Sequence, residues 1–472
     1  MSSSAPTAAV FSKGYRAWML TVLVLINALN LADRQSIAVT GQTIKVDLNF
    51  TDSELGLLQG LPFAIFYTLM GLPLARLAEH YSRTRIVAGC LALFGVMASL
   101  CSTAHTFWRL LLCRVGVGIG DGGFGPPVAS LVGDHYPMGK RASAMSIIWL
   151  GAPIGVVVGA TAAGWLAEHV SWRAAFASVG ATALAVAALA ALTLKEPPRG
   201  TFDAAGAAGP PPAVWTVFKF LFAKRSVRHI LIGCALAATS MNAIGQFLSP
   251  FLQRNFHMGP AEAGRLLALI AGAAMASGLA LGGFGVDWAG RSDRRWYAWG
   301  PAVGLTLAAP LFLLGFSQSA VPATVAIMIA AHVSMFVYYA PTLAIAQNMV
   351  GANMRASSAF VVSFVLGLVG IGLGPTIVGF LSDRFARAVF TLGPYHATCP
   401  GGRAPAGSAI ALADACRDAS AIGIRHALMV MSLLCLWAAL HYLLAARNLR
   451  RDLETHYEGS APAVPATSPA GT

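Results

Sequence analysis

Two short stretches show how this chain is organised: ARLAEHYSRTR at 75–85 and GFGVDWAGR at 283–291. Both follow the pattern small-x-x-x-acid-x-x-small-Arg, and both stand between long apolar segments. The small first residue allows a neighbouring helix to approach closely, and the acid can pair with basic groups of an adjacent loop. Since the two acids, Glu79 and Asp287, lie 208 residues apart, these stretches predict an internal repeat.

The repeat extends through three pairs of helices. The shift of 208 residues also pairs Glu54 with Glu262, and a shift of 215 residues pairs Glu168 with Asp383. Loops of different length in the two halves explain the two shifts. The same shifts bring together Gly56 and Gly264, Asn27 and Asn242, and Gly155, Gly159 and Gly164 with Gly370, Gly374 and Gly379. Two parallel six-helix halves are a plan of membrane transporters, in which rocking of the halves exposes a central site to either side in turn.

The composition excludes a soluble protein. Of the 472 residues 56% are hydrophobic and only 11% are charged, and the mean hydropathy is +0.66, whereas soluble domains carry about 25% charged residues. Many apolar segments are long enough to cross about 30 Å of hydrocarbon. We predict an all-α membrane protein whose twelve transmembrane helices, named spans 1 to 12, lie at 17–44, 52–79, 84–103, 107–135, 141–168, 172–194, 228–253, 261–288, 295–316, 321–349, 356–386 and 421–447.

The positive charge of the chain follows membrane topology. The formal net charge is +13, and Lys and Arg gather in alternate loops, as expected for cytoplasmic loops. This pattern explains the charge without nucleic acid as a partner, and it predicts that both termini are cytoplasmic. We expect a multi-pass monomer in the inner or plasma membrane. The predicted parts are a cytoplasmic tail at 1–16, a six-helix bundle at 17–194, a cytoplasmic linker at 195–227, a second six-helix bundle at 228–447 and a disordered cytoplasmic tail at 448–472.

Two of the seven cysteines share the outer loop between spans 11 and 12. A disulfide between Cys399 and Cys416 is chemically plausible in an oxidising compartment. Two free thiols are an equal alternative, and the sequence does not separate the two.

Four charges within the bilayer mark the candidate site: Asp33 and Arg34 in LNLADRQSIAV, and Arg114 and Asp121 in CRVGVGIGDGGFGPP. Such a charge costs at least about 2.5–3.5 kcal/mol at the centre of an isolated helix, so it indicates function. Asp33 lies roughly 24 Å from the inner end of span 1 and Arg114 about 10 Å from the outer end of span 4, at a similar depth. We predict that Asp33 or Asp121 carries a proton, because burial and a nearby Arg act on a carboxylate in opposite directions. The alternative is a fixed structural ion pair with Arg34 or Arg114.

The repeat fails where these charges stand. Asp33 and Arg34 align with Leu248 and Ser249, and span 10 has no counterpart of the charges in span 4. The second half offers apolar and aromatic residues instead, which suits an amphiphile whose anionic head binds Arg34 or Arg114. Among the residues of the second half we predict three substrate contacts: His332, Tyr338 and Tyr339. The alternative is that the aromatic residues face lipid or the bundle core and that His332 is a satisfied core residue.

A cytoplasmic gate is predicted from the two repeated loops. Glu79 and Arg83 are expected to join Asp134 and Arg141 in a latch that closes one conformation, and Asp287 and Arg291 occupy the equivalent places in the second half. The alternative is ordinary interfacial charge. The first loop departs from the second at its small residue and its acid, which are Ala75 and Glu79 instead of Gly283 and Asp287.

Motifs of cofactor chemistry are absent from the sequence. GIGDGG at 118–123 fits G-x-G-x-x-G, but a dinucleotide site needs a preceding strand and a helix that begins at the glycines, and this string lies inside a membrane helix. No G-x-x-x-x-G-K-[ST] occurs. We therefore expect no cofactor, no metal and no enzymatic activity.

Several strings resemble the Spinster family of the major facilitator superfamily: Asp33-Arg34 in span 1, SELGLLQG at 53–60, RVGVGIGD at 114–121, GDHYPMGKRASAMS at 133–146 and WRAAF at 172–176. The resemblance implies a proton-coupled carrier of lysophospholipids or sphingosine phosphates, with Asp33, Arg34, Arg114 and Asp121 at the site. In that family the acid after G-x-G is usually glutamate, whereas Asp121 is one methylene shorter.

The sequence thus predicts a secondary active transporter that works by alternating access. In the leading hypothesis it couples protons to an amphiphilic anion such as a lysophospholipid, in contact with membrane lipids. A proton-coupled transporter of a small organic acid is the second hypothesis, and a non-transporting membrane receptor is the third.

Overall fold

The computed structural model describes residues 11–199, 201, 214–350 and 354–458. Most of the residues predicted to be disordered, at 1–10, 201–213 and after 457, lie outside these ranges. Within them the chain is helical and has no β-strand. The spans have these bounds: span 1, Lys13–Leu48; span 2, Asp52–Gln59 and Leu61–His80; span 3, Arg83–Cys101; span 4, Phe107–Gly122 and Gly125–His135; span 5, Met138–Trp149 and Gly151–His169; span 6, Trp172–Thr193; span 7, Arg225–Asn255; span 8, Pro260–Ala280, Leu281–Gly285 and Val286–Gly290; span 9, Trp296–Ser317; span 10, Val321–Phe336 and Tyr339–Asn348; span 11, Arg355–Val365, Leu366–Ile371 and Gly372–Val389; span 12, Ile410–Glu458.

Eleven helical segments of the described ranges are long and apolar enough to cross a membrane. The remaining predicted span, span 4, consists of two helices that are interrupted at 123–124. The sequence GGFGPP explains the break, because Pro126 and Pro127 supply no N–H to continue the hydrogen-bond ladder. With span 4 included, the count agrees with the predicted twelve.

The helix ends differ from the prediction in three places. Span 12 begins at Ile410 instead of 421 and continues to Glu458, so the tail predicted from 448 begins as helix. The predicted linker contains a further helix, Val214–Ala223, which buries Val217 and Leu221. Cys399 and Cys416 form a disulfide, with 5.7 Å between their Cα atoms, which settles the choice that the sequence left open.

Small residues pack the spans within each half. A Cβ at Gly155 would overlap the backbone of Ala28, so span 5 approaches span 1 closely only because the side chain is missing. The repeat-related Gly370 packs in the same way on Ala238, between spans 11 and 7. The predicted glycine faces are therefore the packing surfaces of equivalent helix pairs.

The two halves meet at the outer ends of their spans, the ends opposite the termini. Span 2 packs against span 11, span 8 against span 5, and span 1 against span 7. Hydrogen bonds join the halves there, among them Ser53 N–H to Asp383 at 2.8 Å and Ala261 N–H to Glu168 at 2.8 Å. The outer side of the molecule is therefore closed in this conformation.

Candidate transport site

Two ion pairs connect spans 1 and 4, and we name them the crossed ion pairs. Arg114 Nη1 lies 2.6 Å from Asp33 Oδ2, and Arg34 Nη2 lies 2.6 Å from Asp121 Oδ2. The structure therefore brings together all four intramembrane charges that the sequence singled out. Asp33 and Arg34, which are adjacent in span 1, thus pair with two residues of span 4 that lie seven positions apart.

The two pairs differ in exposure. The Asp33 and Arg114 side chains are each 1% exposed, whereas the Arg34 side chain is 18% exposed and that of Asp121 is 6% exposed. The pair nearer the outer end is thus sealed inside the bundle in this conformation. The pair nearer the midplane keeps a small exposed fraction, most of it on Arg34.

The glycines of span 4 explain why these groups lie so close to span 2. A Cβ at Gly118 would stand 2.9 Å from the carbonyl oxygen of Phe63, and a Cβ at Gly122 would overlap that of Tyr67. Since residues four apart share a helix face, Gly118 and Gly122 form one smooth surface for span 2. The string GIGDGG is therefore a helix-packing surface.

Phe63 and Tyr67 are site residues that the sequence reasoning missed. Their rings stack at 5.8 Å between centroids. The Arg34 guanidinium lies over both rings, at 5.2 Å from Phe63 and 4.8 Å from Tyr67, and that of Arg114 lies 5.1 Å from Phe63. Two aromatic residues at a spacing of four, opposite a glycine pair of the same spacing, are the signal that could have found them.

The crossed ion pairs are incompletely hydrogen-bonded. Within the described part of the chain, Asp33 Oδ1 and the Nε atoms of Arg34 and Arg114 are buried without a partner. Buried polar atoms without partners are uncommon in native proteins and need an explanation. Here an acceptor and two charge-bearing donors stay available to a proton or to an anion.

The predicted substrate contacts of the second half are not gathered at this site. His332 is buried, its Nδ1 lies 2.8 Å from the Met328 carbonyl, and its ring packs edge-on against Phe312. Tyr338 is fully buried in the core of the same half. Tyr339 is partly exposed.

A second buried charge cluster closes the outer side, and we name it the outer clamp: Lys45, Asp52, Arg254 and Asp383. Asp52 accepts from Lys45 at 2.7 Å and from Arg254 at 2.6 and 2.8 Å. All four residues are at most 8% exposed. The sequence reasoning missed the two cations because it ended spans 1 and 7 one residue before each of them.

The cytoplasmic latch differs from the predicted one. Arg83 pairs with Asp134 and, at 2.7 Å, with Glu196, which was not predicted. Glu79 is exposed, and no ion pair involves it among the described residues. Arg141 donates to the Tyr136 carbonyl at 3.1 Å. Glu79 and Arg141 therefore form no ion pair with each other in this conformation, since Glu79 lies on the exposed face of its helix end, and a latch that includes both residues remains a prediction.

The ion pairs of Arg83 lie within the first half. In the second half Asp287 accepts from the Tyr297 hydroxyl at 2.8 Å, and Arg291 is exposed. Partial burial raises the pKa of Glu196, but hydrogen bonds from the Thr84 N–H and from the Arg83 and Ser82 side chains outweigh it, so the net pKa is lowered. The outer side is thus closed, and the ion pairs of Arg83 join cytoplasmic helix ends of the first half.

Comparison with known proteins agrees with this architecture. Residues 23–375 match the family model of the Major Facilitator Superfamily. An MFS-type efflux pump of Mycolicibacterium smegmatis is 31% identical over 78% of this chain and 85% of its own length. Protein spinster homolog 1 of Rattus norvegicus is 26% identical over 52% of this chain, which spans about half of that protein (47%).

Among solved structures, a bacterial homologue of the human lysosomal transporter Spinster, in an inward-facing and unoccupied conformation, superposes with a TM-score of 0.84. It is 30% identical, and the match covers 94% of this chain and 99% of that one. The closed outer side of this chain agrees with the inward-facing conformation of that structure. The chain therefore belongs to the Major Facilitator Superfamily, as a multi-pass membrane transporter that resembles the Spinster proteins.

Proposed function

We propose that this transporter couples protons to the movement of an amphiphilic anion such as a lysophospholipid, without enzymatic chemistry of its own. The proposal rests on the pair Arg34–Asp121, a partly exposed ion pair beside two aromatic rings. A guanidinium binds carboxylate or phosphate through several N–H groups in one plane. Arg34 is the cation that an anionic head group reaches first.

Coupling follows from competition for Arg34. When an anion takes the guanidinium, Asp121 loses its ion-pair partner in a site of low dielectric constant. An unpaired buried carboxylate is costly, and it becomes neutral by binding a proton. Anion binding and protonation of Asp121 therefore favour each other, which is the minimum requirement for coupled transport.

Asp33 and Arg114 act as the second stage of this exchange. The pair is sealed at 1% exposure while the outer side is closed. Asp33 Oδ1, which has no partner in the described chain, is the free acceptor for a proton. We propose that Asp33 exchanges its proton only after the outer ends separate, so that Asp121 and Asp33 serve opposite sides of the membrane.

The surroundings of the site favour an amphiphile over a small acid. Phe63 and Tyr67 cover one side of the arginines, and Tyr67 lies beside Gly367 of the second half. Phe360 and Phe364 of span 11 are only partly buried, with ring centroids 6.3 Å apart. An apolar tail can lie along such residues while the head stays at Arg34.

The test is uptake into proteoliposomes under an imposed pH gradient. Two solutes are compared, a lysophospholipid with an anionic head and a small organic acid such as gluconate. Asp121→Asn is expected to abolish the dependence on the gradient, and Arg34→Ala to reduce uptake of the anion about tenfold or more, as expected for a lost charged hydrogen bond. Asp418→Asn is the matched control, because Asp418 is an exposed acid in the outer part of span 12.

The outcomes separate the hypotheses. Gradient-driven uptake of the lysophospholipid alone supports the proposal, and gradient-driven uptake of gluconate alone supports the small-acid transporter. Absence of flux for both solutes, with binding retained, would favour the receptor. If lysophospholipid flux is the same in wild type and Asp121→Asn at every gradient, coupling through Asp121 is wrong.

A further inference from the structure

At the outer ends of the halves, two carboxylates reach across the interface in equivalent ways. Glu168 ends span 5 in the first half and bonds to span 8 of the second. Asp383 lies in span 11 of the second half and bonds to span 2 of the first. Glu168 and Asp383 are the pair that the shift of 215 residues brings together.

Each carboxylate supplies what the opposite helix lacks. Span 8 begins after Gly259, which has no side chain, with Pro260, which has no N–H, so Ala261 offers the first backbone donor. Glu168 Oε2 accepts that N–H at 2.8 Å. The first N–H groups of a helix have no partner within the helix, and here the other half provides one.

The equivalent contact at span 2 is more extensive. Thr51 and Glu54 form a capping box that satisfies the N–H of Glu54 within the first half. The N–H groups of Asp52 and Ser53 remain, and Asp383 accepts both, at 3.0 and 2.8 Å, together with the Ser53 hydroxyl at 2.6 Å. Asp383 is 2% exposed, whereas Glu168 is exposed.

The repeated glycines allow both contacts. A Cβ at Gly164 would stand 2.5 Å from the carbonyl oxygen of Pro260, and a Cβ at Gly379 would overlap that of Asp52. Each acid therefore stands about one turn beyond a glycine against which the opposite helix begins. A negative charge at that place is also favoured by the helix dipole.

We propose that Glu168 and Asp383 are twin clasps, positioning residues of the transport cycle that hold the outer side closed by each capping a helix of the opposite half. Opening of the outer side breaks both clasps. The freed N–H groups of spans 2 and 8 then bind water. The strength of the two contacts therefore sets the ratio of inward-facing to outward-facing molecules.

The charges of the outer clamp make this opening feasible. On separation the first half keeps the pair Lys45–Asp52. The second half keeps Arg254 and Asp383, which interact electrostatically. Each half thus retains one cation and one anion. Neither half is left with an uncompensated buried charge, and such a charge would be strongly unfavourable.

The experiment measures distances between spin labels in the full-length protein in lipid nanodiscs. Labels at Thr103 and Ser319, exposed residues of outer loops in opposite halves, report the outer side; labels at Arg85 and Ser292 report the cytoplasmic side. The background retains the Cys399–Cys416 disulfide and replaces the five free cysteines. No substrate is required, so the result is independent of the proposed coupling and cargo.

Two matched controls come from the same helix starts. Glu262→Gln and Glu54→Gln remove an acid from the first turns of spans 8 and 2 without changing a contact between the halves. Asp383→Asn is expected to raise the ratio of outward-facing to inward-facing molecules about tenfold, because it weakens several charged hydrogen bonds. Glu168→Gln, with one bond on an exposed side chain, is expected to give about threefold.

The distances at the two sides are expected to change in opposite directions, longer outside and shorter in the cytoplasm, which a local loss of structure does not produce. If Asp383→Asn does not fold, Glu168→Gln tests the same device at an exposed position. The proposal is wrong if the cross-half variants leave both distances unchanged, or if Glu262→Gln and Glu54→Gln shift them as much.

Discussion

The crossed ion pairs and the outer clamp have the same composition but different connections. Each contains two acids and two bases, and each is largely buried. All four groups of the crossed ion pairs belong to the first half, whereas Arg254 and Asp383 of the outer clamp come from the second. A cluster within one half travels as a unit and can serve as a site. A cluster divided between halves changes its contacts whenever the halves move.

The largest effect is expected from the sealed pair. Asp33→Ala leaves the Arg114 charge buried without compensation, so we expect about 3–5 kcal/mol of lost stability. Thermal unfolding in detergent measures this loss. The double variant Asp33→Leu with Arg114→Met is expected to recover most of the stability but no coupled transport, since similar apolar residues often replace a buried pair without cost. Equal losses in the single and double variants would contradict this account.

The next effect concerns the outer clamp. Asp52→Asn removes the acceptor shared by Lys45 and Arg254, so two cations face each other across the halves. We expect the outward-facing state to gain about 2–3 kcal/mol, or about 30- to 150-fold, with the global fold retained. Alkylation of a cysteine placed at Ser249, buried in span 7, reports the opening. Asp47→Asn is the control, because Asp47 pairs with Arg173 on the surface of the first half; an equal rate in both variants would refute the prediction.

A smaller effect separates the two crossed ion pairs. Phe63 contacts both guanidiniums, whereas Tyr67 contacts only Arg34. Each cation–π contact at a desolvated site contributes about 1–2 kcal/mol. Tyr67→Leu loses one such contact and Phe63→Leu loses two, so both should weaken substrate binding at Arg34, and Phe63→Leu should cost about twice as much thermal stability. Binding measured by calorimetry beside thermal unfolding checks this, and identical profiles for the two variants would contradict it.

The smallest effect belongs to the cytoplasmic latch. Because the pKa of Glu196 lies below its usual value of 4.5, its contribution to stability is complete above that pH and is lost as the pH falls through the lowered value. The side chain is 30% exposed, so we expect only about 0.5 kcal/mol. The stability difference between wild type and Glu196→Gln should be constant from pH 6 to 8 and shrink below about pH 4. A difference that grows on acidification would have the wrong sign.

The sequence reasoning found the four residues of the crossed ion pairs because charged residues stand out in apolar membrane helices. Asp33, Arg34, Arg114 and Asp121 stand in apolar helices, where each needs a reason to be present. The same reasoning passed over Lys45 and Arg254, because a charge at a predicted helix end looks like an ordinary loop residue. Helix ends are uncertain by one or two residues, and here one residue separated a loop charge from a buried ion pair.

The aromatic residues of the second half show a different limit of sequence reasoning. Composition identified Tyr338, Tyr339 and His332 as candidates, but the structure buries Tyr338 and His332 in the core and leaves Tyr339 partly exposed. Tyr338 and Tyr339 are neighbours in the chain, about 100° apart around a helix. The rotation of span 10 about its axis therefore decides which of the two tyrosines is buried in the core.

By itself the sequence determined the class of protein, the number of spans to within one broken helix, the repeat, and the residues at which the repeat fails. These features follow from local constraints: a membrane-spanning helix must be long, apolar and internally hydrogen-bonded, and exceptions stand out. Only the tertiary structure decided which acid meets which base, that Phe63 and Tyr67 lie on the arginines, and that Glu168 and Asp383 cap helices of the opposite half. Those choices depend on the tilt and rotation of helices packed through small residues, and they join side chains more than 300 residues apart in the case of Ser53 and Asp383.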